Sequence, residues 1–335
     1  MAEKHIYEGK QDEPAAQPHI ETVIHKGVRR IKAFKRNPRG LFVWLAERGW
    51  FRWMSDEPYI RHFYRAKMGE KLHLDPPITF NEKLQWLKLH NRAPLQSILA
   101  DKIAVRDYVA ERIGERYITP LLGVWENPDE IDLNALPERF VLKCSHNSGG
   151  VITCLDKASF NWEGAKRALK KQLGTNYYAT GREWLYKDIP PRVLAEAYIG
   201  GEGGIPPRDY KFFCFNGVVR AMIVCMDRTA RHVSYYYFDR DFNAFPINHQ
   251  TVRRLRDERA GKLEKIEKPP HFEEMRTLAE TLSQGILHVR VDFYDTAAGV
   301  RFGEYTFFDS SGFDEDFTKE GAKIMGDFLR LEDFS

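Results

Sequence analysis

The chain has 335 residues, a length that suits about two domains. Hydrophobic residues make up 43% and charged residues 30%, which excludes a wholly disordered chain. No apolar run approaches the roughly 20 residues of a membrane-spanning helix. The net charge of +3 argues against a globally basic nucleic-acid binder, so no nucleic-acid partner is expected. That average hides an asymmetry. Residues 26–52 hold nine basic side chains and one acid, giving +8, and the rest of the chain sums to −5.

Met1 to about His19 has no periodicity and reads as a flexible lead. Met1–Gln17 is polar, without the apolar stretch of a secretory signal, so a cytoplasmic location is expected. The basic segment follows, with Phe42, Trp44, Trp50, Phe51 and Trp53 at its end. Basic residues beside Trp and Phe suit a membrane interface, which gives residues 26–53 a peripheral contact with the inner face of the cell membrane. The alternative is a solvated basic helix whose aromatics dock on the body.

From Glu57 to about Asn91 the pattern is helical, broken at Pro76 and Pro77. Thr79 and Glu82 have the spacing of a capping box. A further helix is expected from Asp101 as N-cap, with Val105, Val109 and Ile113 on one face and Gly114 at its end. After Pro137 the character changes. Phe140–Cys144, Leu194–Ile199, Tyr210–Phe215, Val218–Met226, His232–Phe238, His288–Tyr294 and Phe302–Phe308 read as strands. Helical stretches intervene near Trp162–Leu173 and Phe272–Leu287. Runs of strands with segregated helices predict an α+β fold. Cys144, Cys154, Cys214 and Cys225 form no CxxC pair and sit among apolar residues, as reduced core thiols do.

Three stretches could carry chemistry. In RFVLKCSHNSGG (139–150) a strand runs into a loop where Gly149 and Gly150 let the backbone fold over a ligand. Lys143 supplies a point charge for a phosphate. GxxxxGK[ST] is absent, so this is not a Walker A loop, and a simple Ser/Asn/Gly turn is the alternative. In HVRVDFYD (288–295) and RFGEYTFF (301–308), period-two alternation puts Arg290 with Asp292, and Glu304 with Thr306, on shared faces. A hairpin through Gly299 would bring them together as an oxygen-donor set for Mg²⁺, or as a cross-strand ion network. In VLAEAYIG (193–200) and DYKFFCFNG (209–217), Glu196 closes an apolar strand before a Gly-rich break, and Lys211 shares a face with Phe213.

Taken together, the order of Lys102, Lys143 before a Gly-rich loop, Glu196, and RVDF with a downstream Glu304 resembles the ATP-grasp superfamily. The strings FNEKLQWLKLHNR (80–92), ADKIAVRDYV (100–109), RFVLKCSHNSGG, DYKFFCFNG and FGEYTFFDSSGF (302–313) are similar to the TupA-like ATP-grasp family of bacterial polysaccharide biosynthesis. The resemblance covers about residues 57 to 320. It implies two α+β subdomains clamping ATP, preceded by a helical N-terminal region. The expected division is a lead and basic segment (1–56), a helical region (57–125), a small subdomain (126–195) and a large subdomain (196–335).

Carried over by position, the resemblance gives Lys102, Lys143 and Lys211 to the ATP phosphates. Ser145, His146, Asn147, Ser148, Gly149 and Gly150 would form the loop over them. Glu196 with Ala197, Tyr198 and Ile199 would hold adenine, and Asp209 or Glu202 the ribose. Arg290 would stabilise the transferring phosphoryl group, and Asp292, Glu304 and Thr306 would bind Mg²⁺. Thr306 stands where the superfamily often has Asn, and Asp309 is an alternative donor. The implied reaction joins a uronic-acid carboxylate of a glycan, or of a lipid-linked precursor, to an amino acid or other amine through an acyl phosphate. A glycosyltransferase is one rival, although Asp239-Arg-Asp241, which has the spacing of a metal motif, lies in an apparent turn. A non-catalytic, membrane-associated scaffold that binds nucleotide is another. Aromatic stretches Asn176–Tyr186 and Tyr235–Phe245 could stack on sugars, and Arg182, Arg228, Arg231 and Arg240 could hold carboxylates.

Overall fold

The computed structural model describes residues 38–201, 204, 206–227 and 232–333. Six of the nine basic residues of the segment, with Glu202, Arg228 and Arg231, therefore lie outside the described residues. Five helices come first: α1 (Pro38–Ala46), α2 (Asp56–Met68), α3 (Phe80–His90), α4 (Pro94–Ala100) and α5 (Val105–Ile113). The capping box at the start of α3 is present. The Thr79 hydroxyl accepts from the Glu82 N–H, and the Glu82 carboxylate accepts from the Thr79 N–H at 2.9 Å. Such a cap contributes about 1 kcal/mol.

Asp101 does not cap α5. That helix begins at Val105, and Asp101 closes α4 while its carboxylate accepts from the Ile103 N–H at 2.8 Å and pairs with Arg192 at 3.1 Å. The local turn over 102–104 satisfies the amides that a capping side chain would have taken. Val105 and Val109 are buried as expected, and Gly114 ends α5 at φ +102°.

The first sheet has order β1-β4-β2-β3, from β1 (Leu121–Trp125), β2 (Phe140–Cys144), β3 (Ile152–Cys154) and β4 (Val193–Ala197), all antiparallel. Phe140, Leu142 and Cys144 alternate into its core, where Leu169 of α6 (Trp162–Leu173) covers them. Lys143 therefore points to the opposite face. A short α7 (Tyr177–Gly181) leads back to β4.

The second sheet has order β7-β6-β5-β8-β9. Its strands are β5 (Arg208–Phe215), β6 (Val218–Met226), β7 (Ser234–Asp239), β8 (His288–Thr296) and β9 (Gly299–Thr306). Helices α8 (His249–Arg259) and α9 (Phe272–Leu282) fall between β7 and β8, and α10 (Lys319–Phe328) follows β9. The hairpin through Gly299 forms as the sequence predicts, with Thr296 opposite Gly299. Phe80 at the first turn of α3 packs edge-on against Phe213, Phe215, His288 and Phe317, so the helical region and this sheet share one core. All four cysteines are free and buried.

Candidate functional site

A cavity of about 580 Å³ is lined by residues of both sheets and of the helical region. On the side of the first sheet, Lys143 reaches the Glu196 carboxylate at 2.6 Å, and Arg106 of α5 reaches its other oxygen at 2.8 Å. Arg106 also donates to the Thr119 carbonyl. Glu196 thus has both oxygens held by cations. Lys102 donates to the Asn147 carbonyl, and burial pushes its pKa down.

The 145–150 loop divides into an anchor and a rim. Ser145 is the anchor: its hydroxyl donates to the Pro190 carbonyl at 2.8 Å and accepts from the Arg192 N–H at 3.1 Å. His146 and Asn147 are buried behind it. Ser148 and Gly149 form the rim and line the cavity. Gly150 holds φ +69°, and a Cβ there would meet the Gln172 amide at 2.2 Å, so the turn requires glycine. Ala197 ends β4, and Tyr198 lies under the Arg139 guanidinium at 5.8 Å. Ala197, Tyr198 and Ile199 are outside the cavity lining.

On the side of the second sheet, register brings the charges together. Lys211 and Asp292 are Cα partners on β5 and β8, and their side chains meet at 2.5 Å. Lys211 also pairs with Asp209 at 2.8 Å. Arg290 grips Asp292 with two bonds, of 2.7 and 2.8 Å, comes within 3.5 Å of Glu304, and pairs with Asp309. Burial alone would lower the Lys211 and Arg290 pKa values, but their carboxylate partners outweigh it and raise both. Burial would raise Asp292, and the two cations hold it below the usual carboxylate range. The β8–β9 pairing slips between Val291 and Phe293. Gly303 sits at this slip, where a Cβ would come 3.1 Å from the Asp292 carbonyl oxygen.

Thr306 faces Arg290 in register but does not line the cavity, whereas Asp309 does. The strand ends at Thr306, and left-handed Ser310 (φ +47°) and Ser311 (φ +53°) fold the following turn back onto the site. The Asp239–Asp241 pair is a turn: Asp239 accepts from the N–H groups of Asp241 and Asn243, and Asp241 is 74% exposed. Arg182 is committed to the backbone carbonyls of Phe51 and Met54 and covers the Tyr59 ring, while Arg240 pairs with Glu280. Tyr186, Tyr235 and Tyr237 line the cavity, and Tyr177 packs edge-on against Tyr186.

Sequence reading missed Arg106, although it stands inside ADKIAVRDYV, four residues after Lys102. It also missed Asp314, Asp316, Asn248 and Gln250, which line the cavity from the segments after β9 and β7. No local pattern marks them, because the fold alone brings these segments together.

Two antiparallel sheets bordering a cavity with cations from each side form the architecture of an ATP-grasp enzyme, in the ATP-dependent ligase class. Residues 82–330 match the model of the TupA-like ATPgrasp family, and the chain belongs to that family. No curated protein matches the chain. Similar solved structures include D-alanine–D-alanine ligase from Bacillus anthracis complexed with ATP, 14% identical, TM-score 0.37, covering 76% of this chain and 67% of that one. The D-cycloserine synthetase DcsG is 17% identical, TM-score 0.38, covering 70% and 71%. D-alanine–D-alanine ligase from Helicobacter pylori is 14% identical, TM-score 0.38, covering 74% and 66%. The chain spans about two thirds of the length of these proteins. At these scores the likeness carries no argument about activity.

Proposed function

We propose that the protein is an ATP- and Mg²⁺-dependent carboxylate–amine ligase. Its substrates are a uronic-acid carboxylate of a bacterial surface polysaccharide or its precursor, and an amino acid or other amine. The observation that carries this reading is the cation set of one cavity, Lys102, Arg106 and Lys143 on one side and Lys211 and Arg290 on the other, in a chain of the ATP-grasp family.

Lys102, Lys143 and Lys211 bind the phosphates, and Ser148 and Gly149 close the rim over them. Asp209 takes the ribose. Glu196, with Ala197–Ile199 behind it, sets the adenine end. The donor set also fits a hard cation: Asp292 and Glu304 offer only oxygens, and the Glu304 side chain is 34% exposed beside the cavity. Mg²⁺ held there would neutralise charge on the transferring phosphate; Asp309 lines the cavity and Thr306 does not. Arg290 meets the charge that develops on the phosphoryl group. The carboxylate oxygen takes the γ-phosphoryl group and ADP leaves. The amine then attacks the acyl carbon, loses a proton and expels phosphate. The work of the residues is positioning and charge neutralisation.

The test is ADP release across a panel of uronates and amines, with product mass. Lys143→Ala or Asp292→Asn should abolish it, and retained activity in both variants sinks the assignment. UDP-sugar turnover without ATP would favour a glycosyltransferase. Tight ATP binding with no turnover across the panel would favour a nucleotide-binding scaffold. Peripheral contact with the inner face of the membrane belongs to the same proposal. It is supported by Trp50 and Trp53, which are 65% and 77% exposed next to Arg48 and Arg52. Among the described residues, no helix is long and apolar enough to cross a membrane.

A further inference from the structure

One stretch of the cavity wall takes no residue from the first sheet. Asp309, Asp314 and Asp316 come to it from the segment after β9, Tyr237 from β7, and Asn248 and Gln250 from the start of α8. The Asp316 carboxylate accepts from the Asn248 and Gln250 side-chain amides at 2.6 and 3.0 Å. Asp314 accepts from the Asp316 N–H at 2.8 Å. Asp309 is paired with Arg290, but among the described residues neither Asp314 nor Asp316 has an ion-pair partner.

A second observation is independent of the acids. The Tyr237 side chain is 1% exposed, and among the described residues its hydroxyl has no hydrogen-bond partner. It lies in the field of Asp309, Asp314 and Asp316. A buried hydroxyl without a partner is unfavourable, because it has given up its hydrogen bonds to water for none in the protein. Burial, and then Asp309 and Asp316, push the Asp314 carboxyl up to about 7. Among the described residues, no group of three His, Cys, Asp or Glu side chains is disposed to hold a metal ion. The guest that relieves both features is an ammonium group, which donates to the carboxylates and to the Tyr237 oxygen.

We propose that this part of the cavity is the acceptor-amine subsite, and that it takes a small amine whose ammonium lies away from any carboxylate, such as a diamine or an amino alcohol. The proposal rests on the ligase reading above and narrows its amine. The α-carboxylate of an amino acid would face Asp314 and Asp316, which have no ion-pair partner among the described residues. The nearby guanidinium, Arg290, is already committed to Asp292 and Asp309.

The test is calorimetric titration of the full chain with 1,4-diaminobutane, ethanolamine and glycine, with and without saturating ADP and Mg²⁺. Diaminobutane or ethanolamine should bind at least tenfold more tightly than glycine. Asp314→Asn should weaken that binding by at least tenfold. Tyr237→Phe, which removes one oxygen and keeps the ring, should weaken it several-fold. Equal affinity for glycine, or amine binding untouched by both substitutions, overturns the subsite. ADP titration of the unaltered protein reads the nucleotide assignment separately. Absent ADP binding counts against the ligase, and intact ADP binding without amine binding counts against the subsite alone.

Discussion

The Lys143 ammonium and the Glu196 carboxylate stand 2.6 Å apart across neighbouring strands, and Arg106 completes the contact from α5. The side chains of Arg106 and Glu196 are 16% and 11% exposed, so solvent does little to screen the pair. Arg106→Ala should cost about 3 kcal/mol, because it leaves a half-paired carboxylate in a poorly solvated place. Urea unfolding reads this. The variant should also bind ADP about tenfold more weakly, since Glu196 and Lys143 lose their fixed geometry. An unchanged unfolding midpoint would show that Lys143 alone suffices to hold Glu196.

Lys88 is a positioning residue. It is fully buried, and its ammonium donates to the Gly181 and Ser311 carbonyls at 2.7 Å each. Gln85 donates to the Gly312 carbonyl at 2.7 Å. Together they hold the left-handed turn that carries Asp309. Burial lowers the Lys88 pKa to about 7 and raises that of Glu183, and the attraction between the two groups offsets only part of each shift. Lys88→Met should cost about 3 kcal/mol. It should lower kcat while leaving ADP affinity within about twofold, because the turn bears on Arg290 at the transferring phosphoryl group and not on Lys102 or Lys143. Adding Glu183→Gln should recover part of the stability. A rise in KM for ATP at constant kcat would contradict this account.

His288 gives the pH prediction. It is buried among Phe80, Phe213 and Phe215, and burial lowers its pKa to about 3. The unfolded chain titrates this group near the ordinary histidine value of 6.5. Between these values the unfolded state binds the additional proton, so stability falls as pH drops from about 6.5 towards 3. His288→Gln removes the titration. Its unfolding free energy should decline less between pH 7 and 4 than that of the unaltered protein, and equal slopes would place the acid sensitivity elsewhere.

Removal of residues 1–53 would disturb packing as well as any membrane contact. Ala46 is fully buried, Phe42 stacks on Phe51 at 4.6 Å, and Arg182 donates to the Phe51 carbonyl at 2.7 Å. That deletion would unpack part of the body. Removal of residues 1–37 combined with Trp50→Ala and Trp53→Ala spares these contacts. Binding to phosphatidylserine vesicles should fall about tenfold, with turnover of soluble substrates retained. Unchanged vesicle binding would end the proposal.

Legibility in the sequence followed the range of the interactions. Phe140–Cys144, Val218–Met226 and Trp162–Leu173 match their observed bounds, because alternation and helical periodicity are local. The short β1 and β3 were missed, as was α8, which is polar along most of its length and buries only Thr251. Arg290 beside Asp292 was legible because two residues on one strand face need no tertiary information. Arg106 beside Glu196 was not, since 90 residues separate them. The Asp314 region was invisible for the same reason, because 68 residues separate Asn248 from Asp316.

Phe313, next to Asp314, packs edge-on against Phe63 of α2 at 4.9 Å and also contacts Tyr64. Helix α2 precedes the family match, which begins at residue 82. Part of the frame behind one end of the cavity is therefore built by chain outside the shared segment. Substitution in α2 would move that end while Lys143, Glu196 and Lys211 stay in place. The two ends of one cavity are separately mutable, so relatives that use the same nucleotide have room to diverge in what they join to it.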